Sequence, residues 1–321
     1  MRTLIPKSIL HLLLVLCLSI SLGPISQASA FPQRPINLIV PYKTGGGTDL
    51  YARALAVELR KVLNVPVVVV NRPGGSGIVG AVAAAKSPAD GHTLLVASAG
   101  SLLLSSMLKP LPVNLSDFQL LGQVGRLTPA LMVPADSAIN DVGSLVAMLK
   151  QNPGKLRWSH PGRGGVHHTA GRAFLYKNDL QARDVPFSGG APARSALISE
   201  QVGFAVIGIQ QAFKFESLIK PVALLATGRD RVQTAVPSLQ ETGLEFADLS
   251  SPIVVLAPGR TAAPIVNQLV EALNQAVLSP DYTKALHRQG MSVFYAGPQE
   301  ASARLTSMEQ ENLELITDLK K

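Results

Sequence analysis

The chain has 321 residues, a single cysteine and a formal net charge of +8. One cysteine excludes a disulfide scaffold, and an aromatic content of 5% with singly scattered Lys and Arg argues against a nucleic-acid-binding surface. The length suits about two domains, each large enough for its own buried core.

Residues 1–30 read as an export signal. Arg2 and Lys7 give a positive start and residues 9–22 an apolar run. Gly23-Pro24 breaks that run, and Ala28-Ser29-Ala30 has the small-x-small form of a cleavage site. The run is about 14 residues long, against the roughly 20 that a spanning helix needs. Leu16, directly before Cys17, is too bulky for a lipoprotein signal. Cleavage after Ala30 would leave 291 of the 321 residues, remove Cys17 and with it any thiol chemistry, and lower the charge from +8 to +6.

Beyond the signal, short β-branched runs alternate with helical ones. Strands are expected at 36–40, 65–70 and 93–97, with helices at 50–63 and 78–86 between them. The second strand is continuously apolar and reads as buried on both faces. This β-α-β-α-β order predicts a parallel, doubly wound sheet. The pattern then restarts, with strands at 130–133, 156–159, 184–186, 204–207 and 222–227 and helices at 142–150, 167–175 and 191–199. A strand at 253–256, helices at 263–278 and 280–288, a strand at 291–295 and a helix at 298–319 close the chain. The fold class is α/β, with the second unit inserted into the first. The expected division is residues 31–132 with 252–321 for one lobe and 133–251 for the other.

Three glycine-rich loops follow strands and precede helices. In Pro41-Tyr42-Lys43-Thr44-Gly45-Gly46-Gly47-Thr48-Asp49 the glycines let a ligand approach backbone N–H groups at a helix amino end, where an anion is favoured, while Thr48 or Asp49 can cap the helix. A capped tight turn without a ligand fits the same residues equally well. Gly75-Ser76-Gly77-Ile78-Val79-Gly80 matches the dinucleotide fingerprint, but Ala99-Gly100-Ser101 stands where the supporting acidic residue belongs. No cofactor is expected, and these glycines read as part of the Asn71-Arg72-Pro73-Gly74 turn. His160-Pro161-Gly162-Arg163-Gly164-Gly165-Val166-His167-His168 mirrors the first loop from the other unit, so the two would face each other across a cleft. His167 and His168 point about 100° apart on a helix, and no neighbouring Cys or His in the sequence completes a metal site. No Gly-x-Ser-x-Gly elbow, cysteine nucleophile or acid–base pair marks a catalyst, and the chain is read as no enzyme.

Taken in order, these motifs resemble the substrate-binding receptors of tripartite tricarboxylate transporters, the Bug family. The resemblance runs from Phe31-Pro32-Gln33-Arg34-Pro35-Ile36 through the Val40-Pro41-Tyr42 strand end and the Gly45-Gly46-Gly47-Thr48-Asp49 loop. It continues in Asn71-Arg72-Pro73-Gly74-Gly75 and Ala89-Asp90-Gly91-His92-Thr93-Leu94-Leu95. Residues 162–168, Val185-Pro186-Phe187-Ser188-Gly189-Gly190-Ala191-Pro192-Ala193 and Leu256-Ala257-Pro258 complete it. It implies a type II periplasmic binding protein fold, two doubly wound α/β lobes closing on a ligand in the interlobe cleft. It also implies a periplasmic, monomeric receptor that takes a small organic acid, needs no cofactor, metal or nucleic acid, and hands its ligand to the membrane permease of a tripartite tricarboxylate transporter. A sensor subunit reporting to a membrane signalling protein is the alternative.

Carried over residue by residue, the resemblance places Tyr42, Thr44, Gly45, Gly46, Gly47 and Asp49, with Ser98 and Ser101, on the first lobe's side of the ligand. Arg163, Gly164, Gly165, Val166 and His167 form the second lobe's clamp. Four positions depart from the family pattern: Ile207 stands for a frequent Asp, Pro252 for an aromatic, Arg163 for a polar residue and His167 for a Gln. Arg163 is therefore expected to face the cleft and grip a carboxylate, and an amino-acid ligand is disfavoured. The hinge is expected near Val133 and Ser251.

Overall fold

The computed structural model describes residues 31–320; the expected export signal lies outside the described residues. The first lobe starts with β1 (Ile36–Val40), α1 (Gly47–Leu63), β2 (Val67–Asn71), α2 (Ile78–Ala85), β3 (Thr93–Ser98), α3 (Ala99–Leu108) and β4 (Phe118–Leu127). The second holds β5 (Pro129–Pro134), α4 (Val142–Gln151), β6 (Arg157–His160), α5 (Val166–Lys177), β7 (Arg183–Pro186), α6 (Gly190–Ile198), β8 (Phe204–Gly208) and β9 (Ile219–Leu224). The chain returns through β10 (Ser251–Pro258), α7 (Ala263–Val277), α8 (Pro280–His287), α9 (Pro298–Glu311) and α10 (Leu313–Lys320). Among the described residues no helix is long and apolar enough to cross a membrane.

Each lobe is built on a five-stranded sheet, of order β2-β1-β3-β10-β4 in the first and β7-β6-β8-β5-β9 in the second. The βαβ portions are parallel, as expected. The strands that have just crossed between lobes, β5 and β10, run antiparallel to both of their neighbours. The outgoing crossing consists of Thr128 alone, between β4 and β5. Val133 therefore lies inside the second sheet, past the crossing rather than at it, and residues 225–250 form the return.

The structure corrects the expected elements at several places. The apolar second strand is the edge of its sheet, not a strand covered on both faces, and Val68 is 46% exposed. Residues 291–295 form no strand; only Ala296 makes a bridge, to Gln123. The last helix is two helices broken at Asn312, whose side-chain amide donates to the Met308 carbonyl at 2.8 Å, a local bond that competes with the helix ladder. Helix α3 and strand β4 escaped the sequence reading. In β4, Gly122 and Gly125 interrupt the apolar run, and Gly125 is needed because the Tyr51 ring lies against it. Tyr51 is buried and ties three segments together, donating to the Ser292 carbonyl at 2.8 Å and accepting from the Arg126 N–H at 3.3 Å.

An apolar core surrounds Trp158, Phe174 and Phe204 in the second lobe, and it also takes in Leu103 and Leu104 of α3 with Met308 and Ile316 of α9 and α10. Each such side chain contributes roughly 1.5–3 kcal/mol on burial. The lobes therefore share an apolar seam beside the polar cleft.

Candidate ligand chamber between the lobes

Four helices begin on one chamber between the lobes: α1 at Gly47 and Thr48, α3 at Ser98 and Ser101, α5 at Val166 and His167, and α6 at Gly190. Their N-cap residues are Gly46, Ser98, Gly165 and Gly189, none of which caps its helix with a side-chain hydrogen bond. Exposed first-turn N–H groups and aligned helix dipoles make such ends attractive to an anion. Among the described residues, no Asp, Glu, Lys or Arg lines the chamber. Burial pushes the Tyr42 phenol up to about 12, and burial with the nearby His160 holds the His167 imidazole down at about 3. Both groups are therefore neutral at pH 7. The free volume is about 30 Å³, the scale of one or two water molecules.

Several hydrogen bonds join the lobes around it. The Lys43 N–H donates to the Ser188 carbonyl at 3.1 Å, Gln211 Nε2 to the Gly45 carbonyl at 3.2 Å and Ser105 Oγ to the Gly164 carbonyl at 3.0 Å. Ser76 Oγ donates to the Arg163 carbonyl, and the Val166 N–H donates to Ser101 Oγ at 3.3 Å. Ser101 also pairs with Ser98 at 2.9 Å, and Ser98 with Ser251 at 2.7 Å, so the start of the returning strand is tied to the chamber wall.

Of the residues expected to meet ligand, Tyr42, Gly46, Gly47, Ser98, Ser101, Gly165, Val166 and His167 line the chamber. The others do not. Asp49 is buried and braces its loop, accepting from the Gly45 N–H at 2.9 Å, Arg53 at 2.8 Å and Asn71 at 2.8 Å. Thr44 pairs with Asn71 on the outside at 3.2 Å, Gly45 offers its carbonyl to Gln211, and Gly164 faces an outer vestibule that adjoins the chamber across Tyr42, Ser76, Pro161 and Gly162.

Arg163 also departs from expectation. Its side chain is 64% exposed and reaches Asp184, with Nε to Oδ2 at 2.7 Å, so an acidic neighbour from β7 does occupy it. Such an exposed pair is worth at most about 1 kcal/mol. Arg163→Ala is therefore expected to leave ligand affinity within about fivefold of the parent by calorimetry; a loss of about 2–5 kcal/mol, the range for a broken buried charge pair, would return Arg163 to the site.

Asp184 gives His168 the partners that sequence spacing did not reveal. His160 Nε2 lies 3.2 Å and His168 Nε2 3.9 Å from Asp184 Oδ2, and the three groups stand close enough together to hold a metal ion. The hydrogen bonds assign them otherwise. The Gly162 N–H donates to His160 Nδ1 at 3.2 Å and the Gly164 N–H to His168 Nδ1 at 3.1 Å. A neutral ring that accepts at Nδ1 carries its proton on Nε2, where it faces the carboxylate and has no lone pair for a metal. Burial lowers both pKa values, that of His168 to about 3. Burial alone would raise Asp184, but hydrogen bonds from Arg163 and His160 outweigh it and keep the carboxylate ionised. The cluster is a brace that fixes the glycine loop in shape.

Sequence reasoning missed Ser76, Gln210 and Gly190 on the chamber wall. Ser76 was hidden in the dinucleotide-like glycine run. The Gly189-Gly190 pair before a helix carries the same signal as the other two loops and could have been found by it. Ile207 is fully buried in the second lobe's core, so the residues that reach the chamber here are Gly208, at the end of β8, and Gln210 just beyond it.

Residues 51–319 match the tripartite tricarboxylate transporter family receptor. The chain belongs to this family. It is 30% identical over 283 residues to Protein BugT of Bordetella pertussis, covering 87% of this chain and 86% of that one. Among solved structures it resembles the periplasmic binding protein BugD with a TM-score of 0.83 at 25% identity, covering 90% of this chain and 98% of that one. It also resembles MatC from Rhodopseudomonas palustris, solved with bound malate, with a TM-score of 0.82 at 25% identity over 89% of this chain and all of that one. The fold is thus that of the family's periplasmic binding proteins, and the family is one of solute-binding receptors.

Proposed function

We propose that this receptor is exported to the periplasm, captures a small organic anion between its lobes and delivers it to the membrane permease of a tripartite tricarboxylate transporter. The observation that carries the reading is the convergence of four helix amino ends on a chamber whose described lining has no acidic side chain. The malate bound by MatC supports a carboxylate as the anion. The single-residue crossing at Thr128 and the return through residues 225–250 are the segments about which the lobes would open and close.

A thermal-denaturation screen of the purified protein against organic acids tests this directly. A ligand present at 100 times its dissociation constant adds about 2.7 kcal/mol to stability, a shift of several degrees. A panel of mono-, di- and tricarboxylates in which no acid raises the midpoint would sink the receptor reading.

A further inference from the structure

We infer that the free edge of β2 receives an extended segment of a partner protein, with acidic and apolar residues in alternation, as a sixth strand of the first lobe's sheet. The inference does not depend on the ligand chamber. Soluble proteins blunt their sheet edges with charges, prolines or bulges, because an unblunted edge is a template for a further strand. Three of the four edges here are blunted. β4 is bridged at Gln123 by Ala296 and broken by two register shifts. β7 carries Arg183, Asp184 and Pro186, and β9 carries Lys220 and Pro221. β2 reads Val67-Val68-Val69-Val70-Asn71, with no charge, proline or register shift.

The backbone groups that a new strand needs are available. The Ile36 N–H donates to the Pro66 carbonyl at 2.9 Å and the Arg72 N–H to the Val40 carbonyl at 2.8 Å. In a parallel ladder of that phase, Val68 and Val70 turn their N–H and C=O groups to β1. Those of Val67, Val69 and Asn71 point outward, and among the described residues these three N–H groups have no partner.

The two faces of this edge differ. Val67, Val69 and Asn71 share the face that α1 covers, where Asn71 Oδ1 accepts from Arg53 Nη2 at 3.1 Å. Arg53, Val57 and Arg60 follow one another along the exposed side of α1 at helical spacing. Residues 50–89 hold five Lys or Arg and one acidic residue, Glu58, which is buried and bonded to Lys61. Val68 and Val70 share the opposite face with Ile39, which packs with Ala81 and Ala84 of α2. There Val68 is exposed, and α2 adds Val79, exposed in its first turn. Side chains alternate between the faces along a strand. An added strand therefore presents every second side chain to arginines and the ones between to valines. A second copy of β2 is a poor occupant, because it would bring its own arginines against these.

Two short blocked peptides, one alternating Glu with Val and one alternating Lys with Val, test this on the purified protein by amide hydrogen exchange read by NMR. At about 1 mM, a concentration suited to a weak short segment, the Glu peptide should slow exchange of the Val67, Val69 and Asn71 amides. The expected slowing is at least about fivefold, because main-chain hydrogen bonds supply much of the affinity of an added strand. The Lys peptide should leave these amides unchanged, and added salt should weaken the effect of the Glu peptide. Val69→Pro removes an outward N–H that β1 does not use, so it should abolish protection at Val67 and Asn71 while the thermal midpoint stays within a few degrees. Arg60→Glu leaves the strand itself untouched and keeps the test open if the proline variant misfolds. Arg60 is exposed, and its reversal should weaken the Glu peptide about threefold. No protection by the Glu peptide, equal protection by both peptides, or undiminished binding in either variant would overturn the inference. A concentration-dependent mass of the parent protein in ultracentrifugation, abolished by Val69→Pro, would assign the edge to a second copy and overturn it as well.

Discussion

Replacing Gly47 with alanine is expected to weaken ligand binding about 10- to 100-fold while lowering the denaturation midpoint by a smaller amount. A Cβ at this position would run into the side chains of Gln210, from the second lobe, and Leu127, at the end of β4. Gly47 opens α1 with an ordinary backbone conformation, and alanine favours the helix by up to about 1 kcal/mol, which offsets part of the cost of shifting the Leu127 side chain within the first lobe. The further conflict arises when Gln210 is brought against α1, that is, when the lobes close. Overpacking of this kind costs about 1–3 kcal/mol, which is the stated range in affinity. Gly46 makes the internal control. A Cβ there meets the Gly190 nitrogen and the Lys43 carbonyl at 3.6 Å, ordinary contact distances, so Gly46→Ala should bind nearly as the parent does. Calorimetry with the acid found by thermal screening, set beside urea denaturation of the same variants, reads both effects. Equal affinities for the two variants would mean that Gln210 swings aside without cost and that Gly47 does not control closure.

Acidification is expected to produce the largest change in stability. His167 and His168 are less than 10% exposed and have folded pKa values of about 3, against about 6.5 in the unfolded chain. Between these values the unfolded chain binds protons that the folded chain refuses. Stability is therefore complete above about pH 6.5 and falls as the pH drops toward 3. The slope is about 1.4 kcal/mol per pH unit for each histidine, so going from pH 7 to pH 4 should remove on the order of 5 kcal/mol. The depressed pKa of Asp184 acts in the same direction but only below the usual carboxylate range. Urea denaturation at pH 7, 5.5 and 4 measures the slope. The double variant His167→Gln, His168→Asn should flatten it by about two protons, since neither replacement titrates and Asn can still accept from the Gly164 N–H. An unchanged slope in that variant would assign the acid sensitivity to other groups.

The alternation of β-branched and helical runs was enough to expect two α/β units with one inserted in the other, because strand and helix periodicities are local. Glycine before a helix start is also a local signal, and it located the loops of α1 and α5. Where the sequence reading went astray, the local signal was overridden. The apolar β2 looks doubly buried but forms a sheet edge, since edge position depends on strand order. The strand β4 looked patternless because Gly125 makes room for the ring of Tyr51, a residue 74 positions earlier in the sequence.

What the sequence by itself determined is therefore the α/β lobes and the glycine loops that meet in the cleft. Only the tertiary structure decided which atoms of those loops face the chamber. Asp49 and Arg163 carry the charges that a sequence reading assigns to ligand, yet both are turned aside by partners from other elements, Asn71 of β2 for the one and Asp184 of β7 for the other. Ser76 meets the Arg163 carbonyl across 87 positions, and Gln211 meets Gly45 across 166. No periodicity encodes contacts of that separation. They exist because two independently wound sheets exchange their crossing strands, and that exchange sets the four helix ends on a single chamber.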